Sequence, residues 1–211
     1  RIRLDSSWGK GEIHSRLVGG FNADNLVLVL GVLLGWDIPL DEALKRLEHV
    51  YPVAGRMQCF GAGEQPLVVV DYAHTPDALE QALRAAREHV SGRLICVFGC
   101  GGDRDKGKRP LMGALAEQLA DEIVITDDNR RHESSDAIIG HIMEGIRDQR
   151  AVRVIPDRAR AIKTAVQIAS AGDLVLVAGK GHENYQQVGD LKHPFDDAAE
   201  VEATLRGLKH G

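Results

Sequence analysis

The chain has 211 residues, enough for one large domain or for a small domain plus part of another. Hydrophobic residues make up 44% of it and charged residues 27%, a balance typical of a soluble protein with a proper core. The net charge of 26 − 31 = −5 argues against binding to nucleic acid or to a membrane surface, and no apolar run approaches the ~18 residues of a membrane span.

The three cysteines, Cys59, Cys96 and Cys100, lack the paired spacing of metal ligands, so no metal site is expected. An odd count fits reduced thiols, and no signal peptide opens the chain, so we expect a cytoplasmic protein. Cys96 lies in an apolar run and is expected to be a core thiol. Because residues 1–4 resemble the middle of a strand, the chain is interpreted as a fragment.

The first part of the chain, up to about residue 60, has a less regular pattern than the second part. A half-buried strand is predicted over 12–18 and a buried helix over 23–34. A second helix, with apolar residues at helical spacing, is predicted to start at residue 37, and a last short strand is predicted over 55–60. Trp8 and Trp36 are expected to belong to the core. The turn-rich residues 61–66 are the predicted boundary, giving a first domain over 1–63 and a second over 64–211.

The second part repeats a regular unit, an apolar strand followed by a helix. Five such strands are predicted, over 67–70, 94–98, 123–126, 152–155 and 174–178. Thr75-Pro76 is an N-cap followed by proline at the first helical position, and a hairpin and a final helix close the chain. The pattern predicts an α/β, Rossmann-like fold: a mostly parallel sheet with helices on both faces.

Unusual polar residues concentrate where these strands end, over 71–75, 99–109, 127–133 and 179–183. The carboxyl ends of parallel strands form the ligand-binding edge of such a sheet. In the third loop, Arg131 could clamp a carboxylate, while Asp128 and Asn129 could receive an ammonium group. The sequence therefore indicates a site for a ligand that carries both charges, such as an amino acid.

The glycine-rich loop 99–109 matches neither of two familiar nucleotide motifs. Residues 102–108 have the spacing of a P-loop, but Arg109 stands where Ser or Thr must reach magnesium. Gly99-x-Gly101 is not followed by glycine at the sixth position, as a dinucleotide fingerprint requires. A mixed-charge loop that holds a ligand carboxylate through an arginine is the better interpretation.

Several polar residues keep two interpretations at this point. His74 is either a partner of the helix start or a catalytic group. Asn22 and Asn25 are either helix caps or amides that read a nucleobase. His182-Glu183 could bind zinc in principle, but no second ligand pair has suitable spacing.

Taken together, these stretches resemble the Mur ligases, and among them those that add the third residue of the peptidoglycan stem peptide. The resemblance covers essentially the whole chain. Its most specific parts are the string Asp71-Tyr72-Ala73-His74-Thr75-Pro76 and the long glycine loop. The other matching motifs, in order, are Gly20-Phe21-Asn22-Ala23-Asp24-Asn25, Gly55-Arg56-Met57, Asp128-Asn129-Arg130-Arg131 and residues 179–183.

The resemblance implies an ATP-dependent ligase that adds meso-diaminopimelate to UDP-MurNAc-L-Ala-D-Glu through an acyl phosphate. Residues 64–211 would be the C-terminal, amino-acid-binding domain, and residues 1–63 the tail of the central ATPase α/β domain. The ligands of Mg²⁺ and most phosphate contacts of ATP would lie upstream, so the fragment should be inactive alone. A cytoplasmic monomer without nucleic-acid or membrane partners is expected.

Matching by motif implies two groups of binding residues. Asn22 and Asn25 would contact adenine, and Arg56 and His74 the ribose and phosphates. The diaminopimelate contacts would be Arg104, Asp128, Asn129, Arg130, Arg131, Gly179 and Glu183. The family has proline where this chain has Arg130, a change that removes some backbone restraint from Asn129.

Other functions remain open on the sequence alone. Within the family, a lysine-adding ligase or another Mur-type ligase is possible. From other classes, a dinucleotide-binding oxidoreductase domain or a non-catalytic amino-acid-binding module would share the fold. The missing sixth-position glycine speaks against the oxidoreductase.

Overall fold

The computed structural model describes residues 1–15 and 17–208. The chain divides into two compact units, Arg1–Val53 and Ala54–Gly211. Each unit has its own hydrophobic core and is described by itself.

The first unit pairs a hairpin with two helices. Strands β1 (Ile2–Ser6) and β2 (Gly9–Ile13) are antiparallel, and helices α1 (Gly20–Gly35) and α2 (Leu40–Glu48) come after them in the chain. Leucines at four-residue spacing form one buried stripe on α1, as helical periodicity requires. They pack with residues of β2 and α2 in a core of Ile13, Leu26, Leu30, Leu34, Ala43, Leu44 and Leu47.

Three expectations for this unit are wrong. The strand predicted over 12–18 is β2, which already ends at Ile13. The apolar helix is not buried all round, because only its leucine stripe packs inward and Leu28 is 71% exposed. Trp8 and Trp36 are 59% and 73% exposed, since they lie at the hairpin turn and at the C-cap of α1 rather than on a packed face.

The second unit is built on a six-stranded sheet with the order β3-β4-β8-β5-β6-β7. Only β3 is antiparallel, to β4, and every other neighbouring pair is parallel. The strands are β3 (Gln58–Gly61), β4 (Leu67–Asp71), β5 (Leu94–Phe98), β6 (Glu122–Ile125), β7 (Val152–Val154) and β8 (Leu174–Ala178). The predicted mostly parallel sheet is confirmed.

Helices cover both faces of this sheet. The helices are α3 (Pro76–Arg87), α4 (Lys108–Leu119), α5 (Ser135–Met143), α6 (Arg158–Ile168) and α7 (Asp197–Leu208). Side chains alternate along each strand, so Val68 and Val70 join a core with α6 and α7. Helices α3 and α4 pack on β5, β6 and β8, and α5 packs beside α4. A hairpin of β9 (Tyr185–Val188) and β10 (Leu191–Pro194) precedes α7.

The division between the units falls earlier than the boundary expected after residue 63. Residues 55–60 are expected to end the first part, but β3 pairs antiparallel with β4 in the main sheet. The turn-rich residues 61–66 are therefore the connection of a hairpin inside the second unit. Glycine-rich composition signals a turn, and it does not distinguish a linker from a hairpin.

Three helices begin at a residue whose side chain caps the helix N-terminus. Thr75, Ser134 and Asp157 each accept a hydrogen bond from a backbone N–H in the first turn of α3, α5 and α6. Helix α4 begins at Lys108, two residues before Pro110. Among residues 1–15 and 17–208, no helix is both long and apolar enough to span a membrane.

One buried ion pair joins several elements of the second unit. Arg158 of α6 and Asp197 of α7 are both fully buried, with guanidinium-to-carboxylate distances of 2.7 Å at both oxygens. The same guanidinium donates to the carbonyl of Ala178 at the end of β8. Burial alone would lower the pKa of Arg158, but the attraction and hydrogen bonds of Asp197, together with the charges of Asp128 and Glu183, leave that pKa raised.

We expect Asp197→Ala to lower the free energy of unfolding of the second unit by about 3–5 kcal/mol, because it leaves the Arg158 charge buried and unpaired. Hydrogen exchange of the amides in β5 and β8 would measure the loss. Glu202→Ala on the same helix removes an exposed pair with Arg206 and should change stability by less than about 1 kcal/mol. Equal effects of the two substitutions would contradict this account.

Candidate functional site

The polar loops meet at one edge of the sheet because β4, β8, β5 and β6 are consecutive neighbours in it. Their carboxyl ends open into a cleft of about 480 Å³. The residues lining this cleft are Tyr72, His74, Thr75, Gly101, Arg104, Asp105, Lys108, Asp128, Asn129, Arg131, Gly179, Glu183 and Tyr185. All of them belong to the second unit.

Asn129, which comes after β6, is the most constrained side chain in the cleft. Its Oδ1 accepts from Lys180 Nζ at 3.1 Å and from the Gln187 backbone N–H at 2.8 Å. Its Nδ2 donates to Glu183 Oε2 at 2.8 Å. Asp128 beside it is also buried, and its Oδ1 accepts the backbone N–H of Asn129. The amide and both carboxylates are thus held in place before any ligand arrives.

Arg131 reaches the cleft from a backbone conformation that is unusual for arginine, with φ at 48°. The β9–β10 hairpin supports this conformation, since Arg131 N–H donates to the Gln187 carbonyl and Gly189 N–H donates to the Arg131 carbonyl. The guanidinium Nη1 donates to the Gly102 carbonyl at 2.8 Å. Its Nε and Nη2 have no hydrogen-bond partner among residues 1–15 and 17–208, so both remain available to a carboxylate.

The glycine loop packs its backbone directly on the loop that carries Arg131. Gly102 N–H donates to the Asn129 carbonyl, and a Cβ at Gly102 would lie 1.9 Å from the Arg130 carbonyl oxygen. No larger residue fits there. This contact brings Arg104 into the cleft, and Lys108 spans it to donate to the His74 carbonyl at 2.7 Å.

The end of β8 supplies the opposite wall. Gly179 has φ at 121°, and a Cβ there would approach Asp128 Oδ2 to 2.9 Å. Lys180 is fully buried behind the cleft and donates to Glu183 Oε2 at 3.1 Å. Glu183 itself is part of the cleft lining.

A cluster of charged side chains joins the glycine loop after β5 to the loop after β6. We call this cluster the ionic latch; it consists of Asp103, Arg109, His132 and Glu133. Buried Arg109 donates to both carboxylate oxygens of Glu133 at 2.8 and 3.0 Å. That contact lowers the pKa of Glu133 to about 2. The Glu133 carboxylate also accepts a hydrogen bond from the Asp103 backbone N–H. The Asp103 carboxylate accepts hydrogen bonds from the backbone N–H and the ring Nδ1 of His132. The hydrogen bond to Asp103 raises the pKa of His132, with further attraction from Asp190.

The expected nucleotide contacts fall in both units. Arg56 lies over the ring of Tyr72, and the Nδ1 atom of His74 is 2.8 Å from the Tyr72 carbonyl. Thr75, not His74, caps α3. In the first unit, Asn22 donates to the Val18 carbonyl and Asn25 lies 3.5 Å from Asn22; neither caps α1, whose N-cap is Gly19.

Most of the predicted amino-acid contacts lie together in the cleft. Arg104, Asp128, Asn129, Arg131, Gly179 and Glu183 all line it, as does His74. Arg130 does not; its carbonyl packs against Gly102, and its charge acts on Asp127. Asp127 is turned away too, since its Oδ1 accepts from Ser135 at the start of α5.

Sequence reasoning missed Lys180, Lys108, Tyr72 and Tyr185. Lys180 could have been found, because it stands between Gly179 and Glu183 directly after an entirely apolar strand. Lys108 and Tyr185 gave no such signal. In the parts of the chain that the structure describes, no cluster of three or more His, Cys, Asp or Glu side chains could hold a metal ion.

The buried cysteines are not nucleophiles. Burial raises the pKa of Cys96 and of Cys100 to about 12, so neither thiolate forms at neutral pH. Cys96 is a core thiol, as expected.

Comparison with known proteins shows the family to which the chain belongs. The family described as "Mur ligase, glutamate ligase domain" matches residues 55–181, which is more than half of the chain. The chain belongs to the Mur ligase family. Its match ends just before Glu183, and the β9–β10 hairpin that supports Arg131 lies outside it.

Two relatives of this Mur ligase chain are especially informative. The UDP-N-acetylmuramoyl-L-alanyl-D-glutamate–2,6-diaminopimelate ligase of Coxiella burnetii is 52% identical over 204 residues, which is 97% of this chain and 42% of that protein. A solved structure of a ligase with the same name is 42% identical and has a TM-score of 0.77, over 99% of this chain and 43% of that one. The chain thus spans less than half the length of these relatives.

A more distant structure shows how widely the fold is shared. The UDP-N-acetylmuramate-alanine ligase of Thermotoga maritima is 18% identical with a TM-score of 0.65, over 94% of this chain and 40% of that one. At this identity the likeness concerns the fold alone.

We expect Asp103→Asn to lower the pKa of His132 toward its ordinary value, because the substitution removes the carboxylate that stabilises the imidazolium. The pair stabilises the latch fully below the unfolded pKa of about 6.5, and this contribution is lost as pH rises through the raised folded value. NMR titration of the His132 ring protons would measure the shift. An unchanged pKa of His132 in Asp103→Asn would contradict the role given to Asp103. The control is Asp5→Asn, which should leave the pKa of His132 unaltered.

Proposed function

We propose that this chain is the C-terminal part of an ATP-dependent ligase that joins meso-diaminopimelate to UDP-MurNAc-L-Ala-D-Glu. The observation that carries the proposal is the cleft, in which arginines and carboxylates from three strand ends, those of β5, β6 and β8, converge around a preorganised amide. The 52% identity to a diaminopimelate ligase supports the choice of amino acid.

The charges of the cleft suit a diamino dicarboxylic acid. Arg131 has two free guanidinium donors for one carboxylate, and Arg104, exposed and bonded only to its neighbour's carbonyl, is placed for a carboxylate as well. Asp128 and Glu183 receive ammonium groups. Lysine would leave one arginine without a partner, because it has a single carboxylate. The lysine complex would therefore have one charge-assisted guanidinium–carboxylate contact fewer, which disfavours that ligand.

The reaction in this proposal is amide formation from a carboxylate activated as an acyl phosphate. ATP would phosphorylate the D-glutamyl side-chain carboxylate, and an amine of the bound diamino acid would attack the acyl carbon and release phosphate. This chain's part is to hold the amino acid at a fixed orientation, which removes much of the entropic barrier. Asp128 and Glu183 would position the ammonium groups, and the arginines the carboxylates.

In this proposal the chain supplies some of the contacts to ATP and none of the ligands of Mg²⁺. Arg56 and His74 lie at the β4 end, where they could meet the ribose and phosphates, and Asn22 and Asn25 would contact adenine. The described residues offer no metal cluster, so Mg²⁺ would need ligands from elsewhere in the complete enzyme. A monomer in the cytoplasm, with small-molecule substrates and no nucleic-acid or membrane partner, completes the proposal.

Calorimetry on this chain tests the choice of amino acid. We expect meso-diaminopimelate to bind at least about tenfold more tightly than L-lysine, because the second carboxylate adds a charge-assisted contact. Equal affinities would contradict the assignment to diaminopimelate, and tighter binding of L-lysine would favour a lysine-adding ligase. Titration with NADH should show no binding, whereas tight NADH binding would support the dinucleotide alternative. Ligation or ATP turnover by this chain alone would refute its role as a part.

We expect Arg131→Ala to weaken meso-diaminopimelate binding by about 10- to 100-fold, since a guanidinium–carboxylate contact is lost. ATP binding should change far less. Arg147→Ala, an exposed arginine outside the cleft, is the control and should leave both affinities unaltered. Equal losses for diaminopimelate and ATP would refute the assignment.

Arg130→Pro should be tolerated, although it alters the sequence of the site. The Arg130 N–H donates no backbone hydrogen bond in the described residues, and its φ is not positive. Proline would therefore stabilise the chain by about 0.4–1 kcal/mol through the unfolded state. Thermal unfolding and meso-diaminopimelate affinity would measure this, and a loss of either would show that Arg130 has a role of its own.

A further inference from the structure

Lys180 is unusual among the lysines that the structure describes because its side chain is fully buried. Burying an ammonium group is costly unless it is paired and hydrogen-bonded. Its Nζ lies 3.1 Å from both Asn129 Oδ1 and Glu183 Oε2, and 5.5 Å from the centre of the Tyr185 ring. Every one of these partners belongs to the cleft lining.

The contacts of Lys180 determine which way the Asn129 amide points. Oδ1 accepts from Lys180 and from the Gln187 backbone N–H, and Nδ2 donates to Glu183. A flipped amide would place its NH₂ group against two donors and its oxygen against a carboxylate. The lysine and the backbone together therefore allow a single amide orientation.

The same contacts make the two oxygens of Glu183 unequal. Oε2 accepts from both Lys180 and Asn129, whereas Oε1 accepts no hydrogen bond within residues 1–15 and 17–208. Since Glu183 lines the cleft, Oε1 is its free acceptor. Without Lys180 the carboxylate would lose its main anchor, and the arginines of the cleft, Arg104 and Arg131, would compete for it.

We propose that Lys180 is a positioning residue for the amino-acid site: its ammonium fixes the Asn129–Glu183 pair so that Glu183 Oε1 is left for the ligand's ammonium group. The ligand part of this inference rests on the proposed function. Lys180 does not touch the ligand itself. It supplies the counter-charge that keeps an acceptor carboxylate from pairing with the arginines that the ligand's carboxylates need.

Lys180→Met tests this inference, because methionine fills similar volume without the charge. Lys192→Met is the matched control: Lys192 lies over the same Tyr185 ring, at 4.0 Å, but is exposed and has no bond to Asn129 or Glu183. Lys180→Gln, which keeps an NH₂ donor group but not the charge, is used for the same measurements if the methionine variant does not fold. All variants are made in the 211-residue chain.

The first readout needs no ligand. The two side-chain NH₂ protons of Asn129, assigned by their loss in Asn129→Asp, should be widely separated in the ¹⁵N–¹H spectrum because only one faces the Glu183 carboxylate. We expect the separation to collapse in Lys180→Met, to narrow in Lys180→Gln and to persist in Lys192→Met. Signals that stay unchanged in folded Lys180 variants would overturn the positioning role.

The second readout is meso-diaminopimelate affinity by calorimetry. Lys180→Met should weaken binding by about 10- to 100-fold, the range for a lost contact to a charged group, and Lys192→Met should not. Equal affinity for Lys180→Met and the unaltered chain would overturn the inference while leaving the proposed function standing. No binding by the unaltered chain would instead overturn the proposed function, and the Asn129 signals would still decide the positioning role.

Discussion

The buried Arg158–Asp197 pair is the interaction on which the geometry of the cleft depends. One guanidinium joins α6 to α7 and reaches the carbonyl at the end of β8, immediately before Gly179 and Lys180. A charge buried this deeply tolerates little displacement, because any loosening leaves it unpaired in a low-dielectric interior. The strand end that supplies one wall of the cleft is thereby fixed to two helices on the far side of the sheet.

Two further sets of contacts hold the side chains that line the cleft. The ionic latch holds the glycine loop to the loop after β6, and Lys180 holds Asn129 and Glu183 between them. Polar groups with fixed partners undergo little reorganisation when a charged ligand binds. In this network, the Nε and Nη2 donors of Arg131 and the Oε1 acceptor of Glu183 are the groups that have no hydrogen-bond partner within residues 1–15 and 17–208.

Much of this architecture could be predicted from the sequence, for identifiable reasons. Five apolar strands with capped helices defined the sheet, and parallel topology alone placed Asp128, Arg131 and Glu183 at one edge. Residues 61–66 misled because a hairpin turn has the composition of a linker. Local pattern also could not show that Arg130 turns away from the cleft, since its placement depends on the contact of its carbonyl with Gly102, in a loop distant in sequence.

The placement of the tryptophans gives the first unit an optical signal of its own. Both tryptophans of the chain, Trp8 and Trp36, are exposed and belong to residues 1–53, whereas Tyr72 and Tyr185 line the cleft in the second unit. Tryptophan emission therefore reports on the first unit alone. An unfolding curve recorded in this way would miss melting of the cleft, whereas tyrosine absorbance would include it, through Tyr72 and Tyr185, together with a contribution from Tyr51 of the first unit.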